Sequence, residues 1–189
     1  MKKILVTVLL ALPPCAAQAA DAGAYVFGSL GYNAAKPSSF TVDTPDRKAG
    51  GAAFELGGGY RVNQIFAIEA SYAYLGKPEI SYDNTFSGSF KLNAFRVSAL
   101  GIVPINDELS AFGRISLNYM QIAPSGQIGG NAVKGETRYD ARTGVGLGLS
   151  YSLNKNLSVL GDYEYIYVDK DHTGLDGISL IKAGLRYQF

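Results

Sequence analysis

The sequence predicts an all-β fold, an eight-stranded antiparallel transmembrane β-barrel that runs as an up-and-down meander. Three observations predict it. Eight segments alternate apolar and polar side chains with the period of two that puts successive residues on opposite faces of a strand. The connections between them run long, short, long, short, long, short, long, so long loops gather at one end and tight turns at the other. On each segment the bulky aliphatic and aromatic residues share one face, while small and charged residues share the other. A water-soluble barrel or sandwich showing the first face to solvent would aggregate. A membrane barrel turns that face to lipid and encloses the charges.

Residues 1–19 are set apart as an export leader. Lys2 and Lys3 precede the apolar run 4–12, and Ala17-Gln18-Ala19 offers small residues at the spacing signal peptidase reads, so cleavage is expected after Ala19. Pro13-Pro14 would break a lasting helix there. Leu12-Pro13-Pro14-Cys15 has the outline of a lipoprotein box, but proline beside the cysteine fits that motif poorly. The barrel domain is then 20–189. Cys15 is the chain's one cysteine and falls in the leader, so disulfides do not staple the domain. The 17 basic and 16 acidic side chains nearly balance, which speaks against nucleic acid or a polybasic lipid-binding surface. The 23 glycines would weaken a helical protein but relieve crowding where strands coil tightly in a narrow barrel. The 13 tyrosines suit a boundary where ring carbons meet hydrocarbon and hydroxyls meet headgroups.

The strands follow in order. The first, 24–32, sets Ala24, Val26, Gly28, Leu30 and Tyr32 outward, and a polar stretch, 33–50, with Pro37 and Pro45 follows. The second, 51–61, turns Phe54, Leu56, Gly58 and Tyr60 out and Glu55, Gly57, Gly59 and Arg61 in. After the turn 62–64, the third strand, 65–74, opposes Phe66, Ile68, Ala70, Tyr72 and Tyr74 to Ala67, Glu69, Ser71 and Ala73. A polar loop, 76–88, leads to the fourth, 89–103, where Arg96 and Ser98 face in but Leu100 and Ile102 fall on the same inner face. The turn 104–108 precedes the fifth, 109–121, with Phe112, Arg114, Ser116 and Asn118 inward. A loop of glycine, serine and proline, 122–136, gives way to the sixth, 137–153, which opposes Tyr139, Val145, Leu147 and Leu149 to Arg138, Asp140, Arg142 and three glycines. The turn 154–156 joins it to the seventh, 157–168, with Asp162 and Glu164 inward. The loop 169–176 precedes the eighth, whose Ile181, Leu185, Tyr187 and Phe189 oppose Lys182 and Arg186. Each segment meets the roughly 9–11 residues a tilted strand needs to cross a bilayer. The first and eighth must pair, because hydrocarbon gives an exposed edge no partner.

An eight-stranded barrel has room inside for side chains and little else. The inward charges are Glu55, Glu69, Arg96, Arg114, Arg138, Asp140, Arg142, Asp162, Glu164, Lys182 and Arg186. Isolated ions away from bulk water lose much hydration free energy, so these are expected to pair in a packed network, with Arg61 and Arg138 solvated near a mouth. Catalytic constellations are scarce. His172, the only histidine, stands in the last loop beside Asp169 and Asp171 and would need a partner such as Ser125 or Asp83. Neither an HxxxH spacing nor a glycine-rich phosphate loop occurs, so no catalytic residue, metal or cofactor is assigned.

The stretch 54–78, FELGGGYRVNQIFAIEASYAYLGKP, resembles the second strand, turn and third strand of the N-terminal transmembrane domain of outer membrane protein A. The segments GIVPINDELSAFGRISLN, VGLGLSYSLNKNLSVLGDYEY, YVFGSLGY and the last thirteen residues extend the likeness, which the small opacity-type barrels share. The resemblance implies a monomer in the outer membrane of a Gram-negative bacterium, with a polar core and mobile external loops. Its implied partners are outer-membrane lipid and lipopolysaccharide, the barrel-assembly machinery, and a host or surface ligand at the loops. It implies that Glu69 is the inward glutamate that pairs with basic residues of the core; Arg114 and Lys182 are inferred as its partners. Phe189 resembles the terminal aromatic by which the insertion machinery recognises its substrates. Full-length members carry a peptidoglycan-binding domain after the barrel; with Phe189 as the last residue, a barrel-only protein is expected. The expected function is structural or adhesive, without enzymatic activity. The alternatives are a narrow porin-like channel for ions or very small solutes, and a rim enzyme centred on His172.

Overall fold

The computed structural model describes residues 22–37, 47–48, 50–76, 79–82, 86–128, 131–167 and 175–189. The expected leader, 1–19, lies outside the described residues. Eleven strands form one antiparallel sheet. In chain order they are β1 (Gly23–Pro37), β2 (Arg47–Lys48), β3 (Gly50–Asn63), β4 (Phe66–Tyr74), β5 (Glu79–Tyr82), β6 (Phe86–Pro104), β7 (Leu109–Ile128), β8 (Asn131–Lys134), β9 (Arg138–Ser152), β10 (Leu157–Tyr167) and β11 (Leu175–Gln188). Setting aside the short β2, β5 and β8, the other eight form the wall, each paired with its neighbours in the chain. β1 then pairs with β11 from Tyr25↔Gln188 to Ala35↔Ile178, and the sheet closes without an edge in the membrane.

Alternation decides the register. On β4 the exposed Phe66, Ile68 and Tyr72 flank the buried Ala67, Glu69, Ser71 and Ala73, so a slip by one residue would put Glu69 into lipid. The outward face is a band of Leu30, Leu56, Ile68, Val97, Ile115, Leu147, Ile181 and Leu185. Tyr32, Phe54, Tyr72, Phe95, Tyr119, Tyr139 and Tyr163 border it toward the long-loop end, and Tyr60, Phe66, Tyr151, Tyr187 and Phe189 toward the turns. Between Phe95 and Val103 on β6 lie about 27 Å of extended strand, or about 20 Å of depth at a tilt of about 40°, close to the hydrocarbon span of such barrels.

An asparagine closes each short turn. Asn63 Oδ1 accepts the Ile65 amide at 2.9 Å. Asn106 Oδ1 accepts those of Glu108 and Leu109 at 3.0 and 2.7 Å. Asn154 Oδ1 accepts those of Asn156 and Leu157 at 2.9 and 2.8 Å. These side chains imitate a backbone turn and leave few orphan amides at that end.

The long-loop end differs from the sequence expectation. Segments 76–88 and 122–136 read as loops, yet β5 and β8 lie in them and the β6–β7 ladder runs unbroken from Pro104↔Ser110 to Phe86↔Ile128. β5 pairs with β6, β8 with β7, and β2 with β5, giving a five-stranded ribbon above the membrane in the order β2-β5-β6-β7-β8. Serine, glycine and proline there lack a greasy face, but backbone amides propagate a ladder from an existing one regardless of side-chain polarity.

Candidate functional site

The interior is layered. Next to the turns lies an apolar layer of Tyr25, Phe27, Ala67, Leu100, Ile102, Phe112 and Leu160. Toward the loops lies a second, built from Ala53, Ala73, Leu75, Leu92, Ala94, Met120, Ile166, Ile178 and Leu180. Charged groups fill the space between. Single strands show the stacking: along the inner face of β6 come Ile102, Leu100, Ser98, Arg96, Ala94 and Leu92, and along β7 come Phe112, Arg114, Ser116, Asn118 and Met120. The inward Leu100 and Ile102 are therefore part of the lower seal and mark no register fault.

Eight of the inward charges meet in this middle layer: Glu55 of β3, Glu69 of β4, Arg96 of β6, Arg114 of β7, Asp162 and Glu164 of β10, and Lys182 and Arg186 of β11. Four are acids and four are bases, so the layer is formally neutral. Nearest the loops, Arg96 Nη1 bridges Glu55 Oε2 at 3.0 Å and Glu164 Oε2 at 2.8 Å. Lys182 Nζ reaches the same two oxygens at 2.6 and 3.1 Å and Asp162 Oδ2 at 3.3 Å. Nearer the turns, Glu69 takes Arg114 Nη2 at 2.9 Å and Arg186 Nη2 at 3.2 Å. Arg114 Nη1, 3.6 Å from Asp162, joins the two halves.

Neutral groups add hydrogen bonds to three of the carboxylates and to Arg96. Ser71 Oγ donates to Glu55 at 2.6 Å, Ser116 Oγ to Glu164 at 2.7 Å, and the Tyr25 hydroxyl to Glu69 at 2.9 Å. Asn118 Oδ1 accepts Arg96 Nε at 2.7 Å. The Arg186 guanidinium lies 4.5 Å from the centre of the Tyr25 ring. Space for these long side chains comes from β9, whose inner face here is Gly144, Gly146 and Gly148. A Cβ on Gly144 would stand 2.6 Å from Ser116 Oγ and 3.1 Å from Glu164 Oε1.

The other three inward charges stand apart. Arg138 is exposed, and Arg142 pairs with Asp140 beside it on β9. Their strand register places Asp140 and Arg138 next to Met120 and Ile122 of β7, at the level of the loop-side apolar layer, and Arg142 next to Asn118, where its side chain turns to Asp140 and away from the central group. Glu69 meets the expected Arg114; Lys182 goes instead to Glu55, Asp162 and Glu164, and Arg186 takes the second place on Glu69. Tyr25, Ser71, Ser116 and Asn118 were missed as members. The signal was available for Ser71, Ser116 and Asn118, which fall on the inner parity of a strand within one or two alternations of a charge, whereas Tyr25 has the inner parity on a strand with no inward charge. Phe189 is exposed on the turn-side aromatic border, its ring edge-on to Tyr187 at 5.4 Å and its amide on Ala24 O at 3.0 Å. His172 and Asp83 lie outside the described residues, and Ser125 sits on β7 in the ribbon. Among the described residues no group of three or more histidine, cysteine, aspartate or glutamate side chains is arranged to hold a metal ion.

A buried pair gains attraction only against a desolvation cost of several kcal/mol per ion, so it stabilises little relative to a well-packed apolar core, while removing one member is costly. What the arrangement does is fill the lumen with fixed, mutually bound charge and close it above and below with hydrocarbon.

No curated protein matches the sequence. Among solved structures, Neisserial surface protein A is similar with a TM-score of 0.62 at 21% identity, over 88% of this chain and 97% of its own. Ail, the attachment invasion locus protein of Yersinia pestis, gives 0.56 at 20% identity over 88% and 99%. OprG of Pseudomonas aeruginosa gives 0.56 at 11% identity over 89% and 96%. Identities this low speak for the shared fold alone. The family model of the outer membrane protein beta-barrel domain matches residues 4–189. With a closed barrel, a lipid-facing apolar band and this match, the chain belongs to the outer membrane protein β-barrel family and resides in the outer membrane of a Gram-negative bacterium.

Proposed function

We propose that this protein is a closed, non-conducting barrel that anchors and presents its external ribbon, serving envelope structure and attachment in place of solute passage or catalysis. The observation that carries this reading is the neutral charge layer held between two apolar layers. A permeating ion would have to cross hydrocarbon twice and compete with fixed pairs in between. Support of a second kind comes from the ribbon. β6 and β7 pair over 19 residues, well beyond what the bilayer needs, and β2, β5 and β8 widen them into a surface. Ail, a protein of the same fold named for attachment, is also known in complex with the heparin analogue sucrose octasulfate. On this reading the partners are outer-membrane lipid and lipopolysaccharide around the band, the assembly machinery at Phe189, and a surface ligand on the ribbon of a monomer.

The experiment pairs two measurements. Purified protein in planar bilayers is expected to give no stable openings. Shortening the ribbon by removing 79–89 and 125–134 is expected to abolish binding to host cells or matrix while the heat-modifiable shift of the folded barrel on gels persists. Large, stable single-channel openings from the intact protein, or attachment unchanged by the shortened ribbon, would overturn the proposal.

A further inference from the structure

At the turn end, beneath the lower apolar layer, the barrel opens into a polar cavity of about 380 Å³. Ile102 and Phe112 of the lower apolar layer line it, and Arg186 reaches from it past the Tyr25 ring to Glu69, so it is a vestibule facing the periplasm. Four serines, Ser110, Ser150, Ser152 and Ser158, line it together with Arg61 and Arg186. The serines come from β7, β9 and β10 at matching depth, and Ser152 Oγ lies 3.5 Å from Ser158 Oγ.

The charges are unevenly placed. Arg186 is only 7% exposed at the deep end; Glu69 engages its Nη2, and its buried Nε has no hydrogen-bond partner among the described residues. Arg61 is half-buried, with Nη2 held on the Gln64 carbonyl at 3.2 Å, which fixes the guanidinium at the wall. The acids are at the rim: Asp107 is exposed to solvent, and Glu108 accepts the Tyr151 hydroxyl at 2.6 Å. Basic donors and hydroxyls inside, with carboxylates kept to the edge, form the lining that an anion requires.

We propose that this vestibule binds a small oxyanion, a carboxylate or a phosphate, from the periplasm. Planar guanidinium groups match the oxygen spacing of such ligands, and the serines supply rotatable donors for the remaining oxygens. Binding there does not depend on the attachment reading. Free anions and the carboxylate ends of periplasmic peptides offer the same chemistry.

The refolded protein in phospholipid nanodiscs, with folding checked by heat-modifiability, is titrated with sodium phosphate, sodium acetate and N-acetyl-D-alanyl-D-alanine while NMR follows the arginine Nε–H and serine signals. Saturable shifts confined to Arg61, Arg186 and the four serines are expected for at least one probe, with Kd of about 1 mM or below. The tightest probe tells free anion from peptide terminus. Arg61→Gln is expected to weaken that binding about tenfold, and Ser150→Val, which removes a hydroxyl without touching a charge, to weaken it as well. Shifts that rise linearly with every probe and equally with sodium chloride at matched ionic strength, or binding unchanged in both variants, would overturn the proposal.

Discussion

At the scale of single residues, the interior depends on pairing more than on the presence of charge. Among the described residues Glu69 is the one carboxylate paired with Arg186 and the nearest to Arg114. Glu69→Ala therefore leaves two buried guanidinium groups short of a partner, and about 3–5 kcal/mol of stability is expected to be lost. Equilibrium urea unfolding in liposomes measures this, and combining Glu69→Ala with Arg114→Met is expected to recover part of the loss, because the second change removes one orphaned cation. Asp140→Ala breaks an ion pair as well, but at a partly exposed position beside the mouth, and should cost no more than about 1 kcal/mol. If both single variants unfold alike, depth is not what makes the pairs matter. Gly144 offers a steric counterpart. A methyl group there would press on the hydroxyl that serves Glu164, so Gly144→Ala is expected to cost about 1–3 kcal/mol by the same measurement.

At the scale of elements, alternation made the eight wall strands legible, because lipid on one side and a crowded lumen on the other penalise every slip of register. The turns were legible for a more local reason: Asn63, Asn106 and Asn154 each sit where a side-chain oxygen can accept amides two or three residues on. Asn154→Ala is expected to cost about 1 kcal/mol and to raise amide exchange at Asn156 and Leu157 with the strands intact; protection at those two amides equal to the native protein would show that the asparagine is dispensable. The ribbon was not legible. Once strands leave the bilayer, both faces meet water and the two-residue signature disappears, while the backbone ladder that continues β6 and β7 leaves no mark on composition. The grouping of the interior charges was half legible. Inward parity found all of them, but depth separates Arg138 and Asp140 from the rest and Asp140 draws Arg142 away from it, and depth follows from strand register, which a single strand does not reveal.

At the scale of the whole molecule, three interior layers stand in series, and their order decides whether anything passes. Wetting a narrow apolar constriction is costly, so on the proposed reading each apolar layer blocks ions by excluding water, while the charged layer between them holds water readily once reached. Breaching one apolar layer therefore leaves the other shut. Leu100→Ala with Phe112→Ala thins the turn-side layer, and Leu92→Ala with Met120→Ala thins the loop-side layer. Each pair alone is expected to remain silent in planar bilayers, although each should lower stability by several kcal/mol through the cavities it leaves. All four together are expected to give small, discrete openings. Selectivity should then respond to the middle layer: replacing Glu55 with glutamine on the four-fold background leaves four bases against three acids and should shift the reversal potential toward anions. Openings from either pair alone would place the barrier in a single layer. Silence from all four would place it in the ion pairs themselves, and the three-layer account of closure would fail.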